Sequence, residues 1–287
     1  MNIEKWLFKN THSLRGKTVA ISGATGGLGR EICKILASLG ASLCLLDRNK
    51  EKSLSLEQEI KALYPRAEIG RITLDLADFS SVKAATERLK ENPPDYLILN
   101  AGAYSIPRKM CDTGYLNVFQ INFVSPYYLA KKLLKSIEKR GGKIIVVGSI
   151  AHNYSHIDTS DVDFSGRRRA SLIYGNAKRF LMYSLLSIGS PCISVVHPGI
   201  SFTGITAHYP KLIFAVIKHP MKLIFMKPRV ACLSLIFGIF NSTGDYEWIG
   251  PRFFDIWGMP KCKPLRTAKR SEIDDICRIA EDIYNKL

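Results

Sequence analysis

Two side chains in this sequence have the types and spacing for proton exchange with an alcohol or a carbonyl: Tyr174 and Lys178, in Tyr174-Gly175-Asn176-Ala177-Lys178. A phenol titrates near pH ~10, too high to exchange protons readily at neutrality. A nearby ammonium favours the phenolate and draws that value down. Residues four apart on a helix share one face, which brings the two groups together. The pattern is common, however. The chain has three such pairs, the others being Tyr127/Lys131 and Tyr128/Lys132. Position in the fold has to choose among them.

A second group suits a nucleotide. Ser22-Gly23-Ala24-Thr25-Gly26-Gly27-Leu28-Gly29 follows an apolar run and opens a helical one. Glycine allows positive φ and close approach of backbone to a ligand, and the helix N-terminus that follows attracts phosphate. A glycine cluster alone also makes a tight turn, but its place between strand and helix points to a nucleotide. Asp47 lies 18 positions after Gly29, at the end of the next apolar run. A carboxylate there can accept from ribose hydroxyls and oppose a 2′-phosphate, whereas the adjacent Arg48 could pair with one. Like charges ~4 Å apart at an effective dielectric of ~20 repel by about 4 kcal/mol. The expected cofactor is therefore NAD(H), with NADP(H) left open through Arg48.

The elements that must position these groups are legible as an alternation. Thr18 to Ile21, Ser42 to Leu46, Glu68 to Leu74, Tyr96 to Leu99, Lys143 to Val147 and Cys192 to Val196 read as short apolar strands. Helical patterns separate them, including Leu28 to Leu39 and Lys50 to Leu63. Apolar strands alternating with helices predict an α/β fold, a single doubly wound parallel sheet with helices on both faces. Ligands of such sheets sit beyond the carboxyl ends of the strands, so chemistry is expected in the loops after each strand.

In that order the residues resemble the short-chain dehydrogenase/reductase family, from Gly16 to roughly Trp257. The spacing Gly23, Gly27, Gly29 is similar to the family's glycine motif and implies a Rossmann-type nucleotide site including Thr25, Gly26 and Leu28. Asp75-Leu76 stands where the family's adenine-contacting acidic residue lies, and Asn100-Ala101-Gly102 matches its Asn-Ala-Gly segment. Each of these residues is also an ordinary turn former. The resemblance selects Tyr174, because a serine after the fifth strand, here Ser149, precedes the family's catalytic tyrosine and orients the substrate carbonyl. It implies Tyr174 as general acid/base, Lys178 on the phenol and the nicotinamide ribose, and Asn122 in a water-mediated proton relay. His197-Pro198-Gly199-Ile200-Ser201-Phe202-Thr203 resembles the segment covering the nicotinamide, with Pro198, Gly199 and Thr203 at cofactor positions and His197 structural. The 25-position gap from Ser149 to Tyr174, and a helix expected from Asp112–Tyr115 to Leu129, look like the retinol-dehydrogenase-like branch. Mammalian members of that branch that use NADP end the cofactor strand in Cys-Arg. The Asp47-Arg48 here departs from that, so cofactor preference is not inherited from the branch.

Composition bounds the remaining readings. With 287 residues and no linker or repeat, one domain over 1–287 is expected, its nucleotide part about 16–150 and a substrate lid about 204–228. Seven scattered cysteines without a C-x-x-C pair argue against a disulfide framework or a metal centre and suit reduced thiols in cytosol. No apolar h-region follows Met1, which argues against a secretory signal. The net charge of +16 raises nucleic acid or an anionic membrane as partners. The cations are spread along the chain, with only Arg167-Arg168-Arg169 as a tight run and no nucleic-acid motif, so no nucleic acid is expected. Leu212 to Ile217 and Leu223 to Met226 are far short of the ~18–20 residues that span a bilayer. Three readings stay open there: buried helices, a lid for a bulky apolar substrate, and a surface that dips into membrane. Ser271-Glu272-Ile273-Asp274 resembles a capping box, opening a helix whose stripe of Ile273, Ile276, Ile279, Ala280 and Ile283 should pack inward.

The expected function is an oxidoreductase interconverting an apolar alcohol with its ketone or aldehyde. The alternatives are a catalytically inactive nucleotide-binding sensor or scaffold of the same fold, and a sugar-nucleotide epimerase or dehydratase, which normally needs a larger C-terminal domain. Oligomeric state, including a homo-oligomer, is left open.

Overall fold

The computed structural model describes residues 2–200, 226–265 and 269–287. Eight strands form one sheet: β1 (Thr18–Ser22), β2 (Ser42–Asp47), β3 (Ile69–Thr73), β4 (Tyr96–Leu99), β5 (Lys143–Val147), β6 (Ile193–Val196), β7 (Glu247–Phe253) and β8 (Trp257–Pro264). Their spatial order is β3-β2-β1-β4-β5-β6-β7-β8. All neighbours are parallel except β7 and β8, which form an antiparallel hairpin. The predicted strands lie within a residue or two of the observed ones. Nothing in the alternation announces β7 and β8, because prolines and lysines interrupt their apolar residues.

Burial on both faces explains why the central strands are apolar throughout. One face is covered by α4 (Phe79–Glu91), α6 (Ser125–Lys139), α7 (Ala170–Leu186) and α10 (Arg270–Asn285). The other carries α1 (Ile3–Asn10), α2 (Gly27–Ser38), α3 (Lys50–Leu63), α8 (Pro228–Ala231) and α9 (Leu233–Phe240). Helix starts follow their caps: the Asn49 side chain accepts from Lys52 N–H, and that of Asp78 from the N–H groups of Ser80 and Ser81. The β3-β2-β1 half and the half from β4 onward wind in opposite directions, so the crevice where ligands bind opens between the ends of β1 and β4.

Two helix expectations are corrected. The chain does not enter a helix at Asp112–Tyr115: Gly114 has φ +82° in a turn, and Leu116 N–H donates to Asp163 Oδ2 at 2.6 Å. Helix begins as α5 (Asn117–Phe119), passes through a π-helical turn over Gln120–Val124, and continues as α6 to Lys139. At the C-terminus the capping box is not made: α10 begins at Arg270 and Lys269 makes no side-chain cap. Because the helix starts before Ser271, that residue lies inside the first turn and is not the N-cap of a box closed by Asp274. Glu272 pairs with Arg179 of α7, a bidentate ion pair in which the Nε–Oε1 distance is 2.5 Å. The isoleucine stripe of α10 is buried as expected.

All seven cysteines are free thiols. No helix among the described residues is long and apolar enough to cross a membrane. The expected lid lies outside the described residues save for Met226, Lys227 and Pro228; Met226 N–H donates to Ile200 O at 2.9 Å.

Candidate active site

The loop from β1 to α2 is shaped by its glycines. Gly23 has φ +66°, and a Cβ there would meet Ala101 Cα at 3.0 Å. Gly29 lies on the first turn of α2, where a Cβ would be 2.2 Å from Gly23 O and 2.7 Å from Ala24 O. Ser22, which the sequence reading left without a role, ties this loop to the end of β4. Its hydroxyl accepts from Asn100 N–H and Ala101 N–H, both at 3.1 Å. Asn100 Nδ2 donates to Ser22 O at 3.0 Å and Gly23 O at 3.1 Å. Asn100 thus holds the glycine loop in place, and its amide is spent on backbone. Gly26 caps α2 through its backbone alone and Gly27 is exposed at its first turn, while the side chain of Leu28 faces the core.

A cleft of about 370 Å³ opens beside this loop, lined by Gly23, Thr25, Asp47 and Arg48 on one side and by Asp75, Leu76, Ala101 and Gly102 on the other. Eight sequence-predicted residues from four separate loops therefore meet at one place. Asp47 is 6% exposed, and its Oδ1 accepts from Thr25 Oγ1 at 2.9 Å and Thr25 N–H at 3.2 Å. Its Oδ2 is buried with no hydrogen-bond partner. Burial pushes this carboxyl above its ordinary range, with the Thr25 bonds opposing. A buried carboxylate oxygen without a donor is expensive, and a ribose hydroxyl would relieve it. Together with the glycine cradle it fits a dinucleotide that carries a free ribose.

The residues expected to handle the proton meet at the ends of β5 and β4. Tyr174 and Lys178 lie on α7, with Lys178 Nζ 5.7 Å from the Tyr174 ring centroid. Lys178 is 2% exposed and donates to Val147 O at 2.8 Å, which fixes the ammonium at the end of β5. Ser149 begins the 3-10 turn Ile150–Tyr154, accepts from Ala151 N–H at 3.2 Å, and hydrogen-bonds the Tyr174 phenol. Lys178 does not bring the Tyr174 phenol below its ordinary value. Burial pushes it up to about 12, the Ser149 bond lowers it, and the neighbouring Tyr104 raises it. Burial also brings Lys178 down to about 8. Desolvation penalises each charged form, and the ammonium is turned towards a carbonyl rather than the phenol oxygen.

Asn122 is fully buried in the π-helical turn, a distortion that often marks functional positions. Its Nδ2 donates to Val118 O and Ala103 O, each at 2.8 Å, and its Oδ1 accepts from Ala103 N–H at 3.3 Å. The side chain is therefore committed to backbone. A Cβ on Gly102 would come within 2.8 Å of Asn122 Oδ1 and 3.7 Å of Lys178 Nζ, so the three residues converge. The other two Tyr-x-x-x-Lys pairs face away from the site. Tyr127 Oη and Lys131 Nζ both hydrogen-bond Glu281, at 2.6 and 2.8 Å, and Tyr128 packs edge-on against Phe79.

A buttress behind Ser149 escaped sequence reading. His152 Nδ1 is 2.6 Å from Ser149 O, and Arg179 Nη1 donates to His152 O at 2.8 Å while holding Glu272. The only hint was that Arg179 adjoins Lys178. His197, Pro198 and Gly199 follow β6. The His197 ring stacks on Trp248 at 5.3 Å, with Nε2 3.0 Å from Asp255 O, which agrees with a structural role. Gly199 has φ +78°, and a Cβ there would strike Met226 Cε at 2.4 Å. Thr203 lies outside the described residues.

Burial lowers His197 to about 3 and lowers His152 as well. His197 therefore stays neutral when folded but gains a proton near pH ~6.5 when unfolded, so its contribution is intact above ~6.5 and is lost as pH falls below it. Thermal unfolding is expected to show stability falling by up to about 1.4 kcal/mol per pH unit from His197 as pH drops below ~6.5, with His152 acting in the same direction. His197→Gln should flatten that slope; an unchanged slope contradicts the assignment.

The sequence model of the short chain dehydrogenase family matches residues 17–160. Mouse retinol dehydrogenase 12 is 30% identical over 201 residues, covering 67% of this chain and 63% of that protein. Mouse polyprenol dehydrogenase is 24% identical over 275 residues, covering 90% and 80% respectively. Among solved structures, an uncharacterized protein from Mycobacterium paratuberculosis superposes with a TM-score of 0.75 at 21% identity, covering 96% of each chain. With half of its length matched by the family model and the Rossmann-type sheet in place, the chain belongs to the short-chain dehydrogenase/reductase family of NAD(P)-dependent oxidoreductases.

Proposed function

We propose that this enzyme interconverts an apolar alcohol and its ketone or aldehyde, with Tyr174 as the group that gives and takes the proton. The observation that carries this reading is the meeting of Ser149, Tyr174 and Lys178 where β5 ends, beside the nucleotide cleft. A bound nicotinamide supplies hydride exchange. In reduction, the Tyr174 hydroxyl donates its proton to the developing alkoxide oxygen; in oxidation, the phenolate takes the alcohol proton. Ser149 donates to the same oxygen and holds the carbonyl in line with the phenol. Lys178, below its own value of about 8, supplies positive charge that favours the phenolate when that proton has left. Relatives named for retinol and polyprenol, both alcohols with long hydrocarbon chains, support an apolar substrate.

Asp47, with its unpartnered Oδ2, supports NAD(H) as the preferred cofactor. A 2′-phosphate would place like charge against a buried carboxylate, and the exposed Arg48 offers only a solvated partner. Fluorescence titration should find NADH bound at least ~10-fold more tightly than NADPH, a gap of roughly 1.4 kcal/mol. Asp47→Ser should narrow it. Tighter binding of NADPH by the native protein would overturn the preference. The chemistry itself is tested by following the reduced-nicotinamide absorbance with both cofactors against retinoids, long-chain alcohols and aldehydes, steroids and small ketones. Turnover of small polar ketones alone would refute the apolar class.

A further inference from the structure

Among the described residues, the β7–β8 hairpin carries the largest aromatic exposure near the site. Phe253, Phe254 and Trp257 are 49%, 81% and 43% exposed at its tip, with the rings of Phe254 and Trp257 6.2 Å apart. The backbone holds Phe254 at φ +53° and Asp255 at φ +57°, the left-handed region that bulky side chains rarely adopt. The tip is braced from inside: His197 Nε2 contacts Asp255 O at 3.0 Å, and Ile200 N–H donates to Ile256 O at 3.3 Å. Because β7 runs parallel to β6, this tip projects from the same sheet edge as Asp47 and Ser149.

Charge accompanies the aromatics. Between residues 250 and 263 stand three cations, Arg252, Lys261 and Lys263, and one acid, Asp255. The acid is neutralised by its ion pair with Lys263. Arg252 lies over the Phe253 ring at 5.6 Å, and both Arg252 and Lys261 are exposed. Aromatic rings flanked by free cations suit the interface of an anionic bilayer, where rings sit at headgroup depth and cations meet lipid phosphate and carboxylate. The net charge of +16 favours the same approach. A second copy of the chain is a poor occupant, since the free edge of β8 carries Pro260 and Pro264, which lack N–H donors, and the exposed Lys261.

We infer that the β7–β8 tip seats on anionic membrane surface, with Phe253, Phe254 and Trp257 entering the headgroup layer and Arg252 and Lys261 pairing with anionic lipid. The active-site edge of the sheet then faces the bilayer, from which an apolar substrate can be taken. The docking stands apart from the substrate reading, because it is measured with no substrate present.

The test is co-sedimentation of the full chain with vesicles of phosphatidylcholine containing about one-third phosphatidylserine, at ~0.1 M salt, where screening is partial. Native protein should sediment, less so at high salt, and only weakly with phosphatidylcholine alone. The double variant Phe254→Ser/Trp257→Ser should partition at least ~10-fold less, and Arg252→Glu/Lys261→Glu should lose the anionic preference. Both should keep native nucleotide affinity and thermal midpoint. If the first variant fails to fold, the second alone decides. No sedimentation of the native chain, equal sedimentation of a folded variant, or equal binding to phosphatidylcholine alone would overturn the inference. So would a native mass in solution twice that of the variant, which would mark the tip as an interface between copies.

Discussion

Tyr174→Phe is expected to lower kcat by at least ~10³-fold in both directions, the upper range for loss of a positioned general acid/base. Phenylalanine keeps the ring, its edge-to-face contact with Tyr104 at 5.4 Å and its place beside Lys178, and removes only the oxygen that carries the proton. The nucleotide cleft is lined by other residues, so the dissociation constant for NADH should stay within about two-fold of native, well under 1 kcal/mol. Stopped-flow hydride transfer and a binding titration separate the two. The pH profile sharpens the expectation. With the phenol at about 12, the proton needed for reduction is present throughout the neutral range, while the phenolate needed for oxidation is scarce. Alcohol oxidation by the native enzyme should therefore climb with pH, approaching ten-fold per unit well below the phenol's value, whereas reduction stays flat. A variant that keeps more than a few per cent of native turnover would remove Tyr174 from the proton-transfer role.

That proposal could be drawn from the sequence because its signals are local. Apolar strands, the glycine run, and the residues after each strand all sit within short windows, and their order singled out Tyr174 from three identical motifs. What stayed hidden depends on contacts distant along the chain. Glu272 reads only as the second residue of an expected capping box, yet it pairs with Arg179, 93 positions away, and so ties α10 to the helix that carries Tyr174. Asn122 reads, through the family resemblance, as part of a proton relay; only the π-helical turn and the bonds to Ala103 show how its side chain is held. The net direction of the Tyr174 shift is hidden from the sequence for a similar reason. Spacing places Lys178 on the right face, but cannot reveal that the ammonium donates to Val147 O or that burial dominates both groups. The β7–β8 hairpin lacked any periodic signal, and it supplies the exposed aromatics and the brace for the segment after β6.

Gly29→Ala is expected to weaken NADH binding by at least ~100-fold, about 2.7 kcal/mol, and to destabilise the fold by roughly 1–3 kcal/mol. The added methyl would sit 2.2 Å from Gly23 O, 2.7 Å from Ala24 O and 2.8 Å from Ala24 Cα. All three are backbone atoms, so no side-chain rotation can relieve the clash. Either α2 moves away from the sheet, opening the core around Ile32 and Leu36, or the Gly23–Thr25 backbone shifts. The second course is resisted by the bonds from Asn100 to Ser22 O and Gly23 O, and it would carry Thr25 away from Asp47 Oδ1. Both courses spoil the same thing, the alignment of the loop with the first turn of α2 that receives phosphate. Gly26→Ala is the matched control. Its methyl would find nothing closer than Gly23 O at 3.4 Å, an ordinary contact, and its φ of −72° is open to any residue. The thermal midpoint should therefore stay near native for Gly26→Ala and fall, together with nucleotide affinity, for Gly29→Ala. Equal behaviour of the two alanine variants would show that flexibility of the loop, rather than the close approach of α2 to it, is what the glycine motif provides.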